Sequence, residues 1–371
     1  MNVPGLADMN PLKKGVLPHF REGKTRERPS FLTIGLRRIR PFSEVTRYGR
    51  AVGMIRVLET QMLTSQHIER LVEADYEEAL HILDETPIGG YLREARLAGD
   101  VNAGLEAFLR DTYETLEKAL PRDSFIMAFF RCRFDFHNLK ALLKSQRTGG
   151  EPEGLLEGLG LVAIEDLRTG LENPYLLPWP YKETVEELAR GWETPQELDT
   201  AVDRRYLEHR LFLAGREGSP FLVDFARASI DLANLKVLIR ARILSKDREY
   251  VRNMLARGGF IEVNTLSDIY VDAPENMVKK LEGIQYYSRL LELVEDEEYV
   301  VRLTEFDRRS DDQLMEMVRG FKRVAVGAEP VFAYIRAREN ETLMVRIILV
   351  AKLHNIPPEA IEKMLRKLYM E

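Results

Sequence analysis

Residues 134–144 read FDFHNLKALLK, and residues 230–240 read IDLANLKVLIR. Extended backwards, the two stretches become DSFIMAFFRCRFDFHNLKALLK (123–144) and SPFLVDFARASIDLANLKVLIR (219–240). Phe125/Phe221, Phe129/Phe225, Arg131/Arg227, Asp135/Asp231, Asn138/Asn234, Leu139/Leu235, Lys140/Lys236 and Leu142/Leu238 are identical, eight matches in 22 positions, where unrelated sequence would give one or two. The chain therefore contains an internal repeat, and the repeat decides the fold before any single motif does.

The period within each copy is helical. Phe125, Phe129, Cys132, Phe136, Leu139 and Leu143 recur at steps of three and four, as do Phe221, Phe225, Ala228, Leu232, Leu235 and Ile239. Asp123 and Ser219 are candidate caps, Pro220 suits a first helical turn, and Gly149-Gly150 predicts the end of the first helix. At 100° per residue, Asp135 falls between Leu139 and Leu142 on the apolar side, and Asp231 falls likewise between Leu235 and Leu238. A carboxylate buried alone there would cost several kcal/mol, so each needs a partner. Arg131 and Arg227, one turn earlier on the same face, are the expected partners, while Asn138 and Asn234 lie at the stripe edge facing neighbouring backbone. A catalytic Asp/Asn/Lys set would be needed once, whereas these residues come twice, which favours packing over chemistry.

A third, weaker copy, GAEPVFAYIRARENETLMVRIILVAKL (327–353), aligns Pro330 with Pro220, Glu341 with Asp231, Val345 with Leu235 and Arg346 with Lys236. Met344 stands where the asparagine is expected, and the arginine has moved to Arg336 and Arg338. The acid and the stripe persist; the amide does not. Three copies predict helical modules over 45–150, 151–257 and 258–371. Shorter amphipathic segments fill the intervals at 54–84, 183–214, 275–295 and 311–324, and sustained strand alternation is absent. The expected fold is all-α.

Composition agrees with a soluble helical chain: of 371 residues, 45% are hydrophobic and 31% charged. A net charge of −6 offers no general field for nucleic acid. Residues 1–44 form a basic, proline-punctuated, aperiodic leader. Lys13, Lys14, Arg21, Lys24, Arg26, Arg28, Arg37, Arg38 and Arg40 outnumber Asp8, Glu22, Glu27 and Glu44. A disordered tail, an upstream start and a polyanion or membrane-surface contact all fit it. One cysteine, Cys132, excludes disulfide scaffolds and multi-thiolate metal sites. No apolar run is long enough to span a bilayer, and the leader lacks a secretory h-region, so a cytoplasmic location is expected.

Enzyme signatures are wanting. Gly23-Lys24-Thr25 imitates the end of a P-loop, but Pro18 occupies the first glycine position and no strand precedes it. GLGLVA (158–163) fits a relaxed dinucleotide fingerprint without the βαβ context, and reads as a loop. His19, His67, His81, His137, His209 and His354 form no short ligand pair. Cys132, on the apolar stripe between two arginines, reads as a buried structural thiol. The expectation is no catalytic residue, no metal and no cofactor.

The paired D-x-x-N-L-K-x-L helices, the GAEPVFAYIRARENE segment and Arg56 within YGRAVGMIRVLETQML (48–63) carry a family resemblance. Together they resemble the C subunit of the archaeal and bacterial V-type (A-type) ATP synthase, related to the d subunit of the vacuolar ATPase. The resemblance covers about residues 45–371. The leader, Met344 and the LLPWPY stretch (176–181) depart from the pattern. It implies three modules in pseudo-three-fold symmetry forming a funnel on the cytoplasmic face of a membrane proteolipid ring. It also implies a non-catalytic central-stalk role: receiving the shaft made of subunits D and F and coupling ATP turnover to proton or sodium transport. One copy per complex, a monomer when isolated, is expected. A helical-repeat scaffold for another cytoplasmic complex is the alternative. Interface residues carry no alignable motif.

Overall fold

The computed structural model describes residues 46–370 except 99, 151, 190, 193, 273–280 and 282–298. The leader, the Gly23-Lys24-Thr25 stretch and nearly all of the 275–295 segment lie outside the described residues. Every regular element described is helical, and no strand occurs among them. The chain forms two compact units: a middle unit, Arg122–Tyr299, and a terminal unit built from both ends, Leu36–Pro121 with Val300–Glu371.

In the middle unit the first repeat helix, α6 (Ile126–Thr148), ends where predicted. Gly149 takes a left-handed φ of 71° and donates its amide to Ser145 O, a conformation that glycine adopts without a side-chain penalty. At its start, where Asp123 is the expected cap, it is Glu217 that accepts the Phe125 amide at 2.6 Å and the Ser124 hydroxyl at 3.0 Å. A carboxylate at the amide end of a helix is favourable on both counts, orphan donors and dipole. The second repeat helix, α10 (Pro220–Ile243), begins with Pro220 in its first turn, as its sequence predicts. Between them runs α9 (Pro195–Glu217), which packs on both. Shorter helices α7 (Ile164–Glu172) and α8 (Tyr181–Leu188) follow α6 in the chain, and α11 (Arg248–Met254) and α12 (Val263–Val271) follow α10. Phe136, Leu139 and Leu142 of α6 meet Leu167, Tyr181, Val185, Leu198 and Val202 in one buried cluster. Burying each of these large apolar side chains stabilises by about 1.5–3 kcal/mol.

The terminal unit is organised around the third repeat helix, α14 (Ala328–Leu353). Around it stand α1 (Gly49–Glu59), α2 (Ser65–Glu73), α3 (Tyr76–Asp84), α4 (Pro87–Ala98), α5 (Val101–Glu117), α13 (Tyr299–Arg319) and α15 (Pro358–Met364). Met344, Val345, Ile348 and Leu349 pack in one cluster with Leu63, Leu71, Leu80, Leu83, Leu105 and Ile361. The 54–84 segment, a single amphipathic stretch by sequence, is three helices, because Thr64 and Asp75 each cap a new one by accepting the amides of His67 and Glu78.

A repeated carboxylate clamp as the candidate functional site

Each long repeat helix presents its acid, inside the protein, to a loop. Asp135 is fully buried. Its Oδ1 accepts the amides of Leu161 (2.9 Å) and Val162 (3.0 Å), and its Oδ2 accepts the Tyr181 hydroxyl at 2.7 Å. Arg131 donates to the carbonyls of Leu159 (2.9 Å) and Gly160 (2.8 Å). Asn138 closes a two-bond ring with Glu157, giving its Nδ2 to the carbonyl and taking the amide on Oδ1, both at 2.9 Å. The three side chains grip both polarities of one short stretch of backbone, Glu157–Val162. That stretch is the GLGLVA segment, a loop as its sequence predicts, and Gly160 is there because a Cβ would overlap Asp135 Oδ1.

The second copy repeats this arrangement in kind. Asp231, fully buried, accepts the amides of Phe260 (2.9 Å) and Ile261 (3.2 Å), and Arg227 donates to Gly259 O at 3.1 Å. Asn234 pairs with Ala256 through bonds of 2.9 and 2.8 Å. A Cβ on Gly259 would again overlap the carboxylate. The expectation of arginine partners is extended: the acids accept loop amides, and the arginines one turn earlier also donate to carbonyls of the same loop. Arg131 adds the weakest of the attractions that favour ionised Asp135, after Tyr181 and the two amides.

In the third copy Glu341 accepts the Leu63 amide at 2.5 Å and pairs with Arg338 at 2.5 Å. Arg338 also donates to Tyr334 Oη (2.8 Å) and Leu58 O (3.2 Å). Met344, where an asparagine is expected, is buried among apolar side chains; Asn340 binds Lys367 O instead at 3.0 Å. Of the remaining signature residues, Lys140 pairs with Asp203 at 2.8 Å, Lys236 is half-buried, and Arg346 is exposed.

The electrostatics are those of a closed interior. Burial pushes Asp135 up to about 6 despite its three donors, and pushes the Cys132 thiol and the Tyr181 hydroxyl well above their ordinary ranges. A thiol held protonated is a poor nucleophile. His209 sits among the rings of Phe136, Trp179, Tyr181 and Phe212, and its burial pulls it down to about 3. Among the described residues no three His, Cys, Asp or Glu side chains converge as a metal site. Sequence reading placed a loop at 158–163 without connecting it to Asp135, and it missed Tyr181, which no repeat partner announces; Gly160 and Gly259 were the one available signal.

Asp135 and His209 together predict an unusual pH profile for the middle unit. Asp135 is raised on folding, so its contribution to stability is largest at low pH and declines as pH rises from about 4 to about 6. His209 is lowered, so its contribution is complete above about 6.5 and is lost as pH falls towards 3. Between pH 6 and 4 the two slopes oppose each other and nearly cancel. As pH falls across that interval, Asp135→Asn is expected to lose on the order of 3 kcal/mol, and His209→Leu to gain a similar amount. Denaturant unfolding followed by tryptophan fluorescence reads this directly, since Trp179 and Trp192 both lie in the middle unit. Parallel profiles for parent and variants would exclude it.

The chain matches the ATP synthase (C/AC39) subunit family over residues 51–364. It is 23% identical to the C subunit of the V-type sodium ATPase of Enterococcus hirae, over 85% of this chain and 97% of that one. It is 24% identical to the C subunit of the A-type ATP synthase of Methanocaldococcus jannaschii, over 86% of both chains. To the corresponding A-type ATP synthase chain of Thermococcus kodakarensis it is 23% identical, over 90% of this chain and 94% of that one.

Proposed function

The chain belongs to the ATP synthase (C/AC39) subunit family, a family of subunits of rotary V/A-type ATPase complexes, and from that premise we propose that it is the central-stalk coupling subunit. In this reading it receives the foot of the D–F shaft and seats it on the membrane proteolipid ring, on the cytoplasmic face. ATP turnover in the head is thereby linked to movement of protons or sodium ions. It carries no active site of its own; its task is to transmit torque. The observation that carries the proposal is the family match, which spans nearly all of the described chain. The clamps support it physically. A torque-bearing part has to resist local opening, and each clamp ties a loop into a long helix through buried, charge-assisted hydrogen bonds, the stronger kind.

No described helix is long and apolar enough to cross a membrane, so attachment to the membrane would be through the ring. The division into three modules belongs to the same proposal. Its test is a pull-down of the purified chain against the D–F complex and, separately, the detergent-solubilised ring, alongside an ATP-binding and hydrolysis assay of the chain alone. Capture of both partners with no ATP turnover is expected. Capture of neither would leave the scaffold of another helical complex as the better reading.

A further inference from the structure

The third clamp differs from the others in where its loop comes from. Asp135 holds amides 26 and 27 residues further along the chain and Asp231 holds amides 29 and 30 residues further; Glu341 and Arg338 hold Leu63 and Leu58, which lie 278 and 280 residues earlier. The element after each loop is nevertheless the same. The last clamped amides belong to Val162, Ile261 and Leu63. Two residues beyond each, a helix of nine residues begins: Ile164–Glu172, Val263–Val271 and Ser65–Glu73. The fourth and seventh residues of all three helices are buried: Leu167 and Gly170, Leu266 and Ile269, Ile68 and Leu71.

We infer that the repeat is cyclically ordered: its unit is a long helix, the loop it clamps and the nine-residue helix after that loop, and the third unit is completed by the start of the chain. Residues 58–73 are the missing loop and short helix of α14. They act as a strap that closes the two ends of the polypeptide into one unit. Further bonds run the same way. Lys352 donates to Val72 O at 2.6 Å, Tyr369 Oη to Glu59 at 3.2 Å, and the Tyr113 hydroxyl to Glu339 at 2.5 Å. Arg56 binds both Glu59 at 2.8 Å and Val324 O at 2.6 Å. The consecutive residues Arg338, Glu339, Asn340, Glu341 and Thr342 are all buried, and three of them reach the other end of the sequence: Arg338 binds Leu58, Glu339 binds Tyr113 and Glu341 binds Leu63. A fully satisfied buried network specifies one arrangement more than it adds net stability. The cyclic order is independent of the coupling function, since it concerns only which segments complete which repeat.

Two full-length proteins test it by hydrogen exchange. In Glu341→Met, which leaves the Leu63 amide without an oxygen acceptor, that amide is expected to exchange at least about tenfold faster while those of Val162 and Ile261 keep their parent rates. A circular permutant, begun at Arg122 and ended at Pro121 with residues 1–45 joining Glu371 to Thr46, puts all three units in the same order along the chain. It is expected to fold and to protect all three amides as the parent does. The inference is overturned if Leu63 exchange ignores the Glu341 substitution. It is overturned equally if the permutant keeps protection at Val162 and Ile261 but loses it at Leu63.

Discussion

Replacing Glu341 by alanine will destabilise the terminal unit by about 3–5 kcal/mol, the usual cost of removing one partner from a buried ion pair. Glu341 and Arg338 are each 2% exposed and lie 2.5 Å apart. Without the carboxylate, the Arg338 guanidinium keeps Tyr334 Oη and Leu58 O but loses the negative charge that answers its own. The Leu63 amide loses its acceptor in the same stroke, and that buried orphan donor is part of the same cost. The loss should be confined. Both tryptophans belong to the middle unit, so circular dichroism should show an early helical transition that tryptophan fluorescence does not follow. A single transition at the parent midpoint would mean that this pair contributes nothing. The double change Glu341→Leu with Arg338→Met should recover most of the loss, because an apolar pair leaves no charge stranded.

Gly259→Ala and Gly160→Ala attack the other clamps from the loop side. Neither glycine is needed for a left-handed backbone; each is needed because the carboxylate of Asp231 or Asp135 occupies the place of its Cβ. One methyl group has to push out an acid pinned by two or three hydrogen bonds, so each substitution should cost about 2–4 kcal/mol through overpacking and lost bonds. Gly154→Ala is the control: a Cβ there meets nothing within 4 Å, and its effect should stay within about 0.5 kcal/mol. Equal midpoints for the three variants in a fluorescence-detected urea titration would remove the steric argument.

These residues also show how far the sequence could be read. The long helices were legible because their signal is side-chain periodicity, and Phe125/Phe221 through Leu142/Leu238 repeat it position by position. That Asp135 and Asp231 are buried followed from the same period. Their binding partners did not, since a carboxylate accepting backbone amides leaves no trace in the partner's side chain: Leu161, Val162, Phe260 and Ile261 share only an N–H. Gly160 was the exception, read as a loop residue with no acid assigned to it. The loop contacts of Arg131 were not foreseen, because spacing on one helix reveals neighbours on that helix and not the loop laid across it. The third loop was beyond reach, since Leu63 precedes Glu341 by 278 residues and no glycine marks it. Tyr181 reaches Asp135 from a helix that has no counterpart in the repeat signature. The family resemblance, by contrast, rested on the order of the copies, and the match over residues 51–364 agrees with it.

The proposed coupling role requires that this chain contribute to its complex by mechanical connection and not by chemistry. The direct measurement is ATP-driven ion uptake into vesicles carrying the reconstituted complex, assembled with and without this chain, with ATP hydrolysis followed in the same samples. Omission is expected to abolish uptake while the head continues to hydrolyse ATP, and adding the purified chain back to restore it. Undiminished uptake in its absence would rule out the coupling role.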